Sequence, residues 1–390
     1  MSIEIIDKIR HRVYFDVEYL HLTILRKDLM SQISVIETPI HDLAAARTQL
    51  SFAVSSDVPT TAALAESLGL FNEEFGSESD LDFSVERFGF GYRELLTEGG
   101  FWIREGDHAS ALWERSKGHD SRLIGLSWIE GTYPVVAITG SGIRSISELK
   151  GKRLGIIKTT ESPFDVGYAQ QLKIYTTALS TAKLTLDDVE LVPIERSKIV
   201  STLNYGNSIK HARIELNTNL AARLRRGEFD AISVPLASDI AHHISVRILS
   251  DTQDHHDFIA RVHPGVLRAV VVSGALLRKR RHLVVRALAR LLEAADWAKR
   301  RTAEQLAAKL PKVGELDPEA LVSKYDGLPS GLQVDFSAEK ILGLRAQKSF
   351  LLRHQLIAKN FALDEWIDQG PFAEAHKLYS ERKESSRRSA

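Results

Sequence analysis

The stretch SFAVSSDVPTTAALAESLGLF, residues 51–71, sets the grammar of the chain. An apolar run over 50–54 reads as a buried strand. Pro59 then stands at a first helical turn and Gly69 follows the last apolar residue, the Pro-in, Gly-out asymmetry of helices. Between strand and helix lies the corner Ser55, Ser56 and Asp57. Asp or Ser in this position is the ordinary N-cap, so the reading gives the cap to Asp57 and lets Ser55 or Ser56 face a ligand. A helix N-terminus also offers free N–H groups and the positive end of a dipole, which suit an anionic head group.

The same strand, corner and helix recur downstream. SRLIGLSW (121–128) and YPVVAIT (133–139) read as strands, Ser145 with Glu148 as a capping box closed by Gly151, and RLGII (153–157) as a buried strand. A second corner, Thr159, Thr160 and Ser162, opens a helix reaching about Leu179. DVELVPI (188–194), AISVP (231–235), SVRILS (245–250) and LRAVVVSGALL (267–277) read as further strands. Two amphipathic helices follow, over 286–310 and 338–359, and the charged tail from 380 reads as disordered. Alternation of strands with helices argues for parallel sheets flanked by helices.

At 390 residues the chain is long enough for two or three domains. Lys plus Arg equals Asp plus Glu, 51 against 51, so bulk charge points to neither nucleic acid nor a membrane surface. The absence of cysteine removes disulfides, thiolate metal sites and a cysteine nucleophile together. Apolar runs such as AVVVSGALL (269–277) are far short of the roughly 20 residues of a membrane helix, so no membrane insertion is expected. Residues 1–48 interrupt every apolar run with charge and read as an N-terminal extension without a signal peptide. The expected compartment is cytoplasmic, or periplasmic if the start is misassigned.

Seven segments in one colinear order resemble a known family: VPTTAALAESLGLF, REGDHASALWERSKGHDSRLIGLSW, SISELKGKRLGI, LDDVELVPI, LRRGEFDAISVP, VVVSGALLRKRRHLVVRALARLLEAADWA and SFLLRHQLIAKNFALDEWID. The family is that of type II periplasmic solute-binding proteins, which includes sulfonate-type ABC-transporter binding proteins, thiamine-pyrimidine-synthase-like proteins and an aromatic sulfinate desulfinase of dibenzothiophene desulfurisation. The resemblance implies an α/β protein of two lobes with a ligand cleft between them. Lobe 1 would take 49–132 plus 262–390 and lobe 2 would take 133–261. Such a cleft lies where helix N-termini and strand C-ends converge.

The resemblance also implies residues. The desulfinase carries its cysteine nucleophile at the position aligned at or beside Ser56, and serine is a poor nucleophile without a base. Its histidine ahead of the arginine has no counterpart between Arg87 and Arg104. Its arginine and first glycine survive as Arg104 and Gly106, with Asp107 in place of the second glycine. Arg104 has a planar fork suited to a carboxylate, sulfonate or phosphate, or else lies at the surface beside a capping Asp107. Trp128 and Trp102 either stack on an aromatic ligand or fill core.

His242, His243, Asp254, His255, His256, Asp257 and His263 raise the metal question, but adjacent histidines point apart and the i, i+4 pairing of a helical site is missing, so no metal and no cofactor are expected. The leading expectation is a binding protein for a small organic anion, aromatic or sulfur-containing, with an ABC-transporter permease as a conceivable partner. The alternative is a cytoplasmic desulfinase-like lyase or hydrolase on the same scaffold, without the cysteine.

Overall fold

A computed structural model describes residues 47–88, 99–159, 163–196, 207–235, 240–310, 313, 316–325 and 327–389. The N-terminal extension expected over 1–48 lies outside these residues except for its last two. In chain order the principal elements are β1 (Thr48–Ser55), α1 (Thr61–Ser67), β2 (Leu81–Phe88), β3 (Trp102–Asp107), α2 (His108–Ser116), β4 (Ser121–Trp128), β5 (Pro134–Ile138), β6 (Arg153–Thr159), α3 (Val166–Thr181), β7 (Glu190–Arg196), α4 (Asn207–Arg225), β8 (Ala231–Ser233), β9 (Val246–Asp251), β10 (Leu267–Ser273), α5 (Arg281–Ala298), α6 (Ala338–Arg353) and α7 (Gly370–Ser389). Among the described residues no helix is long and apolar enough to cross a membrane.

The strands form two five-stranded sheets of matching order, β2-β1-β3-β10-β4 and β7-β6-β8-β5-β9. The expected parallel sheets each carry one antiparallel strand inside them. β1 runs parallel to β2 and β3, and β6 parallel to β7 and β8, but β10 is antiparallel to both its neighbours and so is β5. Connectivity is the reason. The chain leaves the first sheet at the C-end of β4 and enters the second from the facing edge, so β5 runs against its neighbours; β10 makes the return journey in the same sense. Each sheet therefore receives its fourth strand from the direction of the other.

Apolar residues of alternating register fill three layers. Phe52, Val54, Ile103, Val270 and Val272 face α1 and α5. Leu123, Leu126, Ala269 and Val271 face Leu112 of α2 and Leu344 of α6, and this layer continues into Val135, Leu154 and Ile156 of the second sheet. On that sheet's far face Val136, Ile194 and Ile232 meet Leu220 and Leu224 of α4. Each side chain so buried contributes roughly 1.5–3 kcal/mol.

The two crossovers, 129–133 and 252–266, are fastened to each other. Ile129 N donates to Val266 O at 3.0 Å, and Tyr133 N donates to Asp251 Oδ1 at 2.9 Å. Between these ends Arg261 pairs with Glu130 at 3.5 Å, and Trp128 stacks on Phe258 with centroids 4.4 Å apart. Away from the crossovers, Trp113 of α2 stacks on Phe164, just ahead of α3, at 5.8 Å.

Three further expectations change. The strand over 267–277 stops at Ser273, whose Oγ accepts from Leu276 N and starts a short helix. The helix over 286–310 breaks after Ala298, and Thr302 with Gln305 opens a new one as a capping box. The tail is helical to Ser389 because it is anchored: Arg382 reaches Glu74, while Tyr379 and Lys383 both donate to Asp296.

Glu74 is the hub of that anchor, its side chain only 4% exposed and accepting from Arg286, Arg290 and Arg382. Burial alone raises its pKa, but the hydrogen bonds from Arg382, Arg286 and Arg290 outweigh burial and bring it to about 2. The folded pKa is thus below the unfolded one, so this stabilisation is complete above the usual carboxylate range and lost as pH falls through about 2. Glu74→Gln is expected to cost about 3 kcal/mol or more at pH 7. Urea melts should show the gap between the two proteins narrowing below pH ~4.5; a gap constant down to pH ~2 would rule out the assignment.

Candidate functional site

The corner after β1 differs in detail from its sequence reading. Ser56 N and Oγ both donate to Phe88 O, at 2.8 and 2.9 Å, which ties the serine to the end of β2. Asp57 is not the cap. Thr60 holds that position, its Oγ1 accepting from Ala63 N at 3.2 Å, because the helix starts two residues beyond Pro59 and leaves Asp57 too far upstream. The next two N–H groups, of Thr61 and Ala62, donate to Glu105 Oε1 and Oε2 at 3.1 and 2.7 Å. The anion at this helix N-terminus is therefore one of the protein's own carboxylates. Burial pushes the Glu105 pKa up, against the pull of the Ala62 and Thr61 N–H groups and of Arg268.

Arg104 and Glu105, neighbours on β3, point to opposite faces of the sheet. Arg104 is buried; Nη1 donates to Glu114 of α2, Nη2 lies 3.4 Å from Asp107 Oδ2, and Cζ sits 5.1 Å from the Phe88 ring centroid. Its planar fork is spent inside the protein. Gly106 permits this packing, since a Cβ there would come within 2.8 Å of Phe88 Cζ. Asp107 caps α2, accepting from Ser110 N at 2.7 Å, as the sequence suggested.

On the second sheet, Thr159 ends β6 and its N–H donates to Asp165, which caps α3 through Tyr168 N. The cap of α3 is thus Asp165, downstream of that corner; Thr160 and Ser162 lie outside the described residues. Trp102 is buried in the core layer. Trp128, stacked on Phe258, lines a groove of about 250 Å³ with Glu130, Arg261, Ser330 and Lys340. Among the described residues no cluster of His, Asp and Glu has the grouping of a metal site.

Sequence reasoning passed over Arg268. The residue is the second of β10, paired in register with Asp107 of β3 and Ser127 of β4, so the antiparallel strand delivers it to the sheet edge where β1, β3 and β4 end. It is 0% exposed, and Nε, Nη1 and Nη2 have no hydrogen-bond partner. Ser127 Oγ and Tyr325 Oη are likewise buried and unpartnered. Directly paired residues of antiparallel strands share a face, which places Ser127 beside the arginine. A buried cation with no bonded counter-charge costs several kcal/mol. The one signal in the sequence was a single charge inside LRAVVVS, a strand otherwise apolar to its final serine and buried throughout.

His108 adds a buried imidazole. Its Nδ1 lies 2.9 Å from Leu267 O, and a carbonyl only accepts, so Nδ1 carries the proton. Burial holds the ring's pKa below the usual histidine value, against the Leu267 carbonyl and the neighbouring Gln347 side chain, and Nε2 makes no hydrogen bond of full geometry.

Arg104→Ala would leave Glu114 buried without this cation and is expected to cost about 3–5 kcal/mol in urea unfolding. A loss under about 1 kcal/mol would place the pair among weak surface bridges instead.

No protein-family model matches the chain, and no curated protein does. Solved structures do. The desulfurization enzyme DSZB aligns over 85% of this chain and 100% of its own, at 18% identity and a TM-score of 0.66. A mutant of that enzyme in complex with biphenyl-2-sulfinic acid aligns over 85% of this chain and 99% of its own, at 19% identity and 0.65. The periplasmic aliphatic sulphonate binding protein SsuA from Escherichia coli aligns over 83% and 93%, at 17% identity and 0.59. These likenesses fix the fold: two-lobed α/β, of the periplasmic-binding-protein type II class, as the resemblance implied.

Proposed function

We propose that this chain binds a small organic anion, an aromatic or sulfur-containing acid, at the edge of the first sheet that faces the second, and that Arg268 is the charge that receives it. The carrying observation is the buried, unpartnered guanidinium of Arg268 at the ends of β3 and β4. An anion accepting two of its N–H groups offsets the cost of burying the charge and gains charge-assisted hydrogen bonds. Ser127 and Tyr325 supply further hydroxyl donors. The corner Ser55, Ser56 and Asp57, together with Thr159, completes the walls in this reading, Trp128 flanks them, and Arg104 with Gly106 holds the floor in shape.

The structural neighbours support the chemical class: one is titled for binding sulphonates and one carries biphenyl-2-sulfinic acid. If the chain serves transport, an ABC-transporter permease is its partner. A second reading, a lyase or hydrolase on the same scaffold, draws on the buried His108, a neutral imidazole near Gln347 able to act as a general base. It has no cysteine to use as nucleophile.

The test is a thermal-shift and calorimetric screen of biphenyl-2-sulfinate, benzenesulfonate and benzoate. Arg268→Met should weaken a binding anion about 10- to 100-fold, the worth of charge-assisted hydrogen bonds. The same variant should raise the melting temperature of the ligand-free protein, because an apolar side chain replaces an unpaired buried charge. Mass analysis of the bound compound separates the readings: recovery unchanged supports binding, and conversion supports the enzyme. No stabilisation by any of the three, or full affinity in Arg268→Met, would overturn the proposal.

A further inference from the structure

We infer that the site selects organic di-acids over mono-acids, with Lys324 receiving the second acidic group; the inference rests on the anion site proposed at Arg268. Lys324 is buried, and its Nζ stands 5.0 Å from the Tyr133 ring centroid and 5.1 Å from that of Tyr325. Among the described residues no carboxylate forms an ion pair with Nζ, and its near neighbours are the two tyrosine rings. Tyr325 joins this ammonium to the arginine. Its ring lies near Lys324, and its hydroxyl, which neighbours Tyr133 without a bond of full geometry, lies within electrostatic reach of Arg268. Arg268, fully buried, and Lys324, largely buried, therefore both lie near one tyrosine.

The nearby carboxylates are engaged elsewhere: Asp107, in register with Arg268, accepts from Ser110 N and Oγ and lies 3.4 Å from Arg104 Nη2. Glu105 lies within electrostatic reach of Arg268 but spends both oxygens on the α1 N–H groups. Asp251 is committed to Tyr133 N and Thr132 Oγ1. Asp57 lies within electrostatic reach of Tyr325. His263 and His108 are held neutral by burial and add no charge of either sign. A mono-acid leaves one of the two cations uncompensated, whereas a di-acid answers both.

Binding of benzenesulfonate and 3-sulfobenzoate by calorimetry tests this. The unaltered chain should favour 3-sulfobenzoate at least tenfold. Lys324→Met should bring that ratio close to one while leaving benzenesulfonate affinity within about twofold, and Lys324→Arg should keep the preference. Circular dichroism and melting without ligand verify the fold, with Lys324→Gln as the substitute if the methionine variant does not fold. Equal affinity for the two compounds, or a preference that survives loss of the ammonium, overturns the inference and leaves the Arg268 reading standing. Failure of both compounds to bind overturns the two together.

Discussion

Two crossovers join the sheets, and each sheet must accept one strand arriving from the other's direction. This constraint reverses β5 and β10 against their neighbours. A reversed strand begins where its neighbours end, so the first residues of β10 stand at the edge where β3 and β4 finish. A side chain near the start of such a strand is delivered to the ligand crevice of an open sheet without any loop to position it. Arg268 occupies that place, held on both sides by ladder hydrogen bonds.

Internal electrostatics explain why the charges in the expected site are already occupied. The N-terminus of α1 has the features of an anion receptor, and Glu105 fills it. Arg104 has the planar fork of a carboxylate clamp, and Glu114 with Asp107 fills that. Both arrangements make the edge of the sheet rigid. The charges without bonded partners, Arg268 and Lys324, lie closer to the crossovers and on the face shared with Tyr325. Rigid, filled pairs thus surround a small region whose donors remain unused.

Much of the architecture was legible in local sequence. The strand over 121–128, the capping box at Ser145 and the cap at Asp107 all follow from patterns a few residues long. What escaped depends on contacts between distant segments. The strand directions of β5 and β10 are set by connectivity, which periodicity does not encode. The tail's helix depends on Arg382 meeting Glu74 across 308 residues of sequence. The cap of α1 moved from Asp57 to Thr60 because Pro59 precedes the helix instead of opening it. Arg268 was hidden for a different reason: one cation in an apolar strand looks like a tolerated exception until its burial and lack of partners are known.

The fastening of the crossovers bears on how the two halves of the molecule can move. Joined at Ile129 with Val266 and at Tyr133 with Asp251, with Trp128 on Phe258 and Glu130 on Arg261 between, the segments form a two-ply ribbon in place of two independent strings. A ribbon resists splaying but yields to torsion about its length. Torsion strains the paired hydrogen bonds, the ion pair and the ring stack far less than splaying does, so the four contacts together resist separation of the two segments.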